Sequence, residues 1–182
     1  MKIIHDPFPH VVHEDFFKDK LLNSIYDTYS QYDHGDYQIT ADTPKLNKKL
    51  QQIAYDKVFM VKENLSKYGS PPRNTYVCNI NDSFFKILIK VMDPGTSHHS
   101  IHCDADWKQL TTIIYVSKHG QGTKFYSAND ENCFSKEVEW KQNRGYSFVP
   151  SMNSWHNFMH SADAPEKRIV VMFTLANKRY YR

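Results

Sequence analysis

Three His-x-Asp tripeptides, at residues 13–15, 34–36 and 102–104, are the first candidates for metal chemistry in this sequence. With ten histidines and fourteen aspartates among 182 residues, about 0.8 such tripeptides are expected by chance. Context must therefore separate the three. An extended strand turns residues i and i+2 to the same side, where both can reach one ion. Asp15 is better explained as a helix cap with His13 at the surface, and the second tripeptide, beside a glycine, as a turn. Only the third lies in a β region.

Two protein ligands hold a divalent metal weakly, so His102 and Asp104 need a third. Two histidines and one carboxylate can fix one face of an octahedral Fe(II) ion and leave three positions open. His156 is the best candidate, because it opens a strand that returns after the strand ended by Pro150. His160 is the fallback, but it lies roughly 13 Å further along the same strand face at about 3.3 Å per residue, so only one of the two can be a ligand.

Arg168 begins the last apolar run of the chain, twelve residues after His156. Alternation places Ile169, Val171, Phe173 and Leu175 on one face, so Arg168 turns either to solvent or into the interior. An interior guanidinium requires a carboxylate partner. Because a hairpin joins His156 to Arg168, a dicarboxylate could bridge the metal and the arginine.

The elements that position these residues begin with two helices. Phe17, Leu21, Ile25 and Tyr29 recur every four residues and predict a helix over 15–29, capped by Asp15. Residues 30–42 are polar and predict a loop. Thr43-Pro44 is typical of a helix start, and the apolar spacing continues to Tyr68, where Gly69-Ser70-Pro71-Pro72 ends the second helix.

After residue 72 the apolar period changes from about 3.6 to 2, which indicates a β region. We predict a preliminary strand near 74–80 and then eight core strands, the number expected for a sandwich or jelly roll buttressed by the two helices. The predicted core strands are at about 84–92, 100–105, 109–117, 122–127, 136–141, 145–149, 154–160 and 167–175.

Length and composition indicate a single folded domain over 1–182, with a helical part at about 1–72 and a β core at about 73–176. The chain has 40% hydrophobic residues and a net charge of only +3, which does not by itself indicate a nucleic-acid partner. Three cysteines without CxxC spacing argue against a disulfide framework. The N-terminus lacks a signal-like apolar stretch and no apolar run could span a membrane, so we expect a cytoplasmic protein without a membrane partner.

In this order and context, His102-x-Asp104, His156 and Arg168 resemble the 2-oxoglutarate- and Fe(II)-dependent oxygenases. The resemblance covers most of the chain and is closest to small bacterial and phage members related to prolyl hydroxylases. Further stretches that carry it are 10–17, 108–116 and 122–125.

The resemblance implies a double-stranded β-helix, a cupin-like jelly roll, in which His102, Asp104 and His156 are the catalytic ligands of Fe(II). It implies that Arg168 binds the distal carboxylate of 2-oxoglutarate and that O2 takes the last open position; ascorbate is a further candidate cofactor. The implied reaction is hydroxylation of a C–H bond with release of succinate and CO2.

One position departs from the family pattern. Many members have Ser or Thr two residues after the arginine, where this chain has Val170. We expect Thr112, Tyr115 or Lys90 to assist Arg168 instead, and the sequence does not choose among them.

Two other readings stay open beside an oxygenase acting on a small molecule or a peptidyl, including prolyl, substrate. A cupin-like module could bind metal or ligand without turnover, and would not need Arg168. A nucleic-acid-directed oxygenase rests only on the basic, aromatic C-terminus at 178–182 and on a pI near 8.6. His98 and His99 are expected to line the entrance rather than to ligate, and Trp107 and Trp140 to pack in the core.

Overall fold

The computed structural model describes residues 2–39, 44–67, 83–95 and 100–178. Nine strands and an N-terminal helical layer form its frame. The helices are α1 (Asp19–Tyr29), α2 (Pro44–Ile53) and α3 (Phe59–Leu65), the last two joined by a π-helical turn at Ala54–Val58. The strands are β1 (His10–His13), β2 (Gly35–Gln38), β3 (Ser83–Met92), β4 (Lys108–Tyr115), β5 (Thr123–Tyr126), β6 (Phe134–Val138), β7 (Gly145–Phe148), β8 (Trp155–Phe158) and β9 (Arg168–Asn177).

The strands form two antiparallel sheets. The larger has the order β1-β7-β4-β9-β3-β2, and the smaller has the order β6-β5-β8. At the centre of the larger sheet, β9 pairs with β3 from Asn177–Ser83 to Arg168–Met92 and with β4 on its other side. β8 pairs with β5 in the smaller sheet while β9 lies in the larger one, so the hairpin predicted between His156 and Arg168 is wrong: residues 159–167 cross from one sheet to the other.

Alternation along β9 explains the two apolar layers. Val171 and Phe173 turn to one face and pack with Leu22 and Ile25 of α1 in the cluster under the helices. Val170 turns to the opposite face, into a second cluster between the sheets. This second cluster also contains Tyr115, Phe125, Tyr146, Phe148 and Phe158. The space between the sheets is therefore where Arg168 and the inward side chains of β8 must meet.

Seven of the eight predicted core strands correspond to β3 through β9. The eighth, predicted at 100–105, is wrong as a strand: within it only His102 forms an isolated bridge, to His156. A turn follows at once, in which the backbone N–H of Lys108 donates to the carbonyl of Ala105 at 3.1 Å. The turn begins at Ala105, directly after Asp104, so the pairing with β8 does not extend along the predicted strand.

The N-terminal prediction needs three corrections. The first helix begins at Asp19 after Lys18, and Asp15 does not cap it but adopts a φ of 47°. The loop predicted at 30–42 contains the edge strand β2, whose Gly35 to Gln38 pair with β3. The segment 10–13 is a strand on the other edge, and His13 is half-buried there rather than at the surface. The second helix does begin at Pro44.

Some predictions fall on residues outside the described ranges. These are the strand at 74–80, the cap at Thr43, the helix stop at 69–72, the pair His98–His99 and the tail beyond Lys178. Among the described helices, none is long and apolar enough to cross a membrane.

Candidate active site

The isolated bridge between His102 and His156 builds the centre of the site. The His156 backbone N–H donates to the carbonyl of His102 at 2.9 Å, and the reciprocal bond is 3.1 Å. Asp104 follows two residues later, and one ligand atom from each of the three side chains lies within 4.8 Å of the others. The structure thus brings together the three residues that the sequence suggested, with a donor set of two nitrogens and one carboxylate that suits Fe(II).

Backbone carbonyls fix the orientation of both imidazole rings. Nδ1 of His102 lies 2.8 Å from the Ser100 carbonyl, and Nδ1 of His156 lies 2.9 Å from the Ser154 carbonyl. A carbonyl only accepts, so each Nδ1 carries the hydrogen and each Nε2 presents a lone pair, as metal ligation requires. Burial also lowers the pKa of His156 to about 4, which keeps that ring neutral at physiological pH.

Two residues that sequence reasoning missed hold the Asp104 carboxylate. The Lys108 ammonium contacts Oδ1, and the Thr111 hydroxyl donates to Oδ2. Burial by itself would raise the pKa of Asp104, but the charge of Lys108 and these hydrogen bonds hold it below its ordinary value. Asp104 is therefore ionised. The i, i+4 spacing of Asp104 and Lys108 was the available signal, but it predicts a contact only once the intervening turn is known.

Arg168 lies deep between the sheets, with 1% of its surface exposed. Its guanidinium carbon is 4.0 Å from the centre of the Phe158 ring, 5.2 Å from Trp140 and 5.8 Å from Tyr115. Nη1 is 3.9 Å from Sδ of Met92, while the buried Nε and Nη2 have no hydrogen-bond partner.

The burial of Arg168 has an electrostatic consequence. Desolvation lowers its pKa, but an arginine remains charged in a protein. No carboxylate in the described part of the chain forms an ion pair with it. A buried cation without a counter-ion is costly, so this pocket favours an anionic ligand, and a terminal carboxylate fits the unpaired N–H groups.

The triad and Arg168 are connected along β8. His156 and Phe158 point to the same face, about 6.7 Å apart at two residues of strand, and the Phe158 ring covers the guanidinium. Along the strands β4 and β9, Ile113 and Met172 lie between the height of the triad and the height of Arg168, and both are partly exposed. The residues therefore fit a short dicarboxylate with one end at the triad and the other at Arg168.

The three residues expected to assist Arg168 lie in different places. Tyr115 is on the same inner face, and its hydroxyl is 3.0 Å from Thr123 Oγ1 and 3.1 Å from the Val138 carbonyl. Burial raises the pKa of Tyr115 to about 12, so it stays a neutral hydroxyl. Lys90 forms an ion pair with Asp36 at 3.3 Å, towards the sheet edge.

Thr112 lies on the opposite face of β4 from Thr111 and Tyr115. Its hydroxyl is 2.6 Å from that of Ser147, which in turn is 2.7 Å from Nε2 of His13. This buried chain faces the helices. The structure therefore does not bring Thr112 to Arg168. Of the three residues, Tyr115 is the one that packs beside the guanidinium.

The remaining candidates do not join the triad. His160 is buried, and its Nε2 donates to the carbonyl of Glu166 at 3.0 Å. Trp140 stacks on Tyr115 with 4.2 Å between ring centres, beside Arg168. Trp107 lies on the metal side, where the Lys108 ammonium is 5.7 Å from its ring centre. The expected core-packing role thus describes Trp140 better than Trp107.

Comparison with solved structures gives the same fold. No protein-family model matches the sequence, and no curated protein matches it significantly. A prolyl-4-hydroxylase from Pseudomonas putida aligns with a TM-score of 0.66 at 11% identity, covering 93% of this chain and 85% of that one. A prolyl hydroxylase from Trichoplax adhaerens, solved with a peptide fragment of hypoxia-inducible factor, gives 0.62 at 12% identity, covering 93% and 84%. The chain is thus similar in fold to prolyl hydroxylases.

Proposed function

We propose that this protein is a 2-oxoglutarate- and Fe(II)-dependent dioxygenase that hydroxylates a C–H bond of a small-molecule or peptidyl substrate and releases succinate and CO2. The observation that carries the proposal is the pairing of a His-Asp-His cluster with a buried guanidinium that has two unpaired nitrogen positions. A binding module of the cupin type needs only the first of these. The prolyl hydroxylase fold makes a peptidyl, including prolyl, substrate the more specific form of the proposal.

Each residue has a defined part in this proposal. His102, Asp104 and His156 hold the metal through two Nε2 atoms and one carboxylate oxygen, and the backbone carbonyls behind the rings keep their tautomers fixed. Arg168 binds the distal carboxylate, with the Tyr115 ring packed beside it. When bound, the iron and 2-oxoglutarate supply the oxidative decarboxylation that activates O2.

The interior of the site also protects the reaction. Phe158, Phe148 and Val170 cover the space around Arg168 and His156 with apolar surface. Such walls exclude water and strengthen the charge interactions between the cosubstrate and the guanidinium. The chain itself therefore ligates, orients and shields.

Formation of succinate from 2-oxoglutarate, measured by mass spectrometry with Fe(II) and air, tests the proposal. We expect the wild-type protein to form succinate slowly even without a primary substrate, and His102→Ala or Asp104→Ala to form none while keeping the wild-type circular dichroism spectrum. Full turnover in either variant contradicts the site. If no succinate forms and Arg168→Ala leaves ligand binding and metal content unchanged, the protein is a binding module.

A further inference from the structure

Lys108 places a positive charge directly on the carboxylate that would bind the metal. Its ammonium contacts Oδ1 of Asp104, and both side chains are largely buried, with 14% and 7% of their surfaces exposed. The contact follows from the backbone, because the turn at 105–107 brings residue 108 back over residue 104. The pair is therefore a built feature of the site and not a contact between mobile surface side chains.

Asp104 has a second partner of different character. Thr111 donates a neutral hydroxyl to Oδ2, the other carboxylate oxygen. Both donors orient the carboxylate, but only Lys108 adds charge. The two neighbours thus differ in what they do to a divalent cation that shares Asp104.

We propose that Lys108 is an internal counter-cation of Asp104 that competes with the metal, so that the site holds a divalent metal firmly only when an anionic 2-oxo acid is also bound. The inference rests on the proposed function, because it assigns the regulation of the same metal site.

Charge accounting at the triad leads to this coupling. Without metal, Lys108 neutralises Asp104. A divalent ion raises the local charge to about plus two, and repulsion between a doubly and a singly charged cation on one carboxylate outweighs the loss of one hydrogen bond. A carboxylate arriving beside the metal lowers that charge again. The indole of Trp107, 5.7 Å from Nζ of Lys108, offers the ammonium a favourable cation–π contact when the metal takes its place.

Calorimetric titration of the intact protein with Mn(II) under argon, with and without 2-oxoglutarate, tests the proposal without turnover. We expect Lys108→Met to bind Mn(II) alone about tenfold more tightly than wild type. We also expect saturating 2-oxoglutarate to tighten Mn(II) binding less in this variant than in wild type. Lys108→Gln, which keeps a donor but removes the charge, should behave in the same way and replaces the Met variant if that variant does not fold.

Thr111→Val is the matched control, because it removes an Asp104 donor without changing charge. It should weaken Mn(II) binding, opposite in sign to the Lys108 variants. If Lys108→Met and Lys108→Gln bind Mn(II) no more tightly than wild type, Lys108 only orients Asp104 and the inference is wrong. If wild type itself binds no better than Asp104→Ala, the metal site and the proposed function fail instead, which separates the two outcomes.

Discussion

The buried guanidinium of Arg168 leads to a test in which stability and ligand binding move in opposite directions. Arg168→Met places an apolar side chain of similar length against Phe158, Trp140 and Met92, which already surround this position. Replacing a buried ion pair by well-packed apolar residues often stabilises a protein by about 1 to 4 kcal/mol, and we expect a similar gain where the buried charge has no counter-ion. For a chain of this length each kcal/mol shifts Tm by about 2 to 4 °C. We therefore expect the ligand-free variant to melt about 2 to 16 °C above wild type.

The same substitution should abolish the response to the cosubstrate. With Mn(II) present under argon, 2-oxoglutarate at a hundred times its Kd stabilises the wild-type protein by about 2.7 kcal/mol, which differential scanning fluorimetry detects readily. Arg168→Met should show little or none of this shift. Lys141→Met controls for the loss of a positive charge: its exposed ion pair with Glu14 is worth about 0 to 1 kcal/mol, and we expect its cosubstrate shift to remain.

Two results would contradict these expectations for Arg168→Met. A ligand-free Arg168→Met protein that melts well below wild type would mean that the guanidinium is already compensated. A variant that keeps the full 2-oxoglutarate shift would mean that the carboxylate binds elsewhere.

Two further predictions concern residues near the site and under the helices. Tyr115→Phe should weaken 2-oxoglutarate binding about three- to tenfold by calorimetry, because the hydroxyl that anchors this ring beside Arg168, through Thr123 and the Val138 carbonyl, is lost; an equal loss in Thr112→Val would contradict the face assignment. Burial lowers the pKa of His13 from 6.5 to about 4. Between pH 4 and 6.5 the unfolded chain therefore binds a proton at His13 that the folded protein does not bind. Stability should fall as pH drops from 6.5 to 4, by at most about 3 kcal/mol for this group, and urea unfolding should show a flatter profile in His13→Gln.

The strands that carry the site could be predicted from the sequence wherever buried and exposed residues alternate regularly along them. In β9 the four apolar residues on one face required Arg168 to lie on the other face. The burial of Arg168 depends on the second sheet, whose position the sequence alone did not reveal. The strand predicted around His102 was wrong because the chain turns directly after Asp104. His102 and Asp104 were nevertheless correctly predicted to lie beside His156, because a single bridge pair is enough to align His102 with His156.

Features that depend on contacts between distant segments were missed. The strands β1 and β2 are only four residues long and lack the run of alternation that indicates a strand. His13 was expected at the surface because its partner Ser147 is 134 residues away. Lys108 and Thr111 are close to Asp104 in sequence, but their contacts with it depend on the turn and on which face of β4 points inward.

The most direct test of the central claim is anaerobic visible absorption of the purified protein with Fe(II), before and after addition of 2-oxoglutarate, beside Asp104→Ala and Arg168→Ala. We predict a charge-transfer band that appears only when both additions are present, is lost in Asp104→Ala, and requires a higher 2-oxoglutarate concentration in Arg168→Ala. No band at saturating iron and 2-oxoglutarate in the wild-type protein would contradict the account.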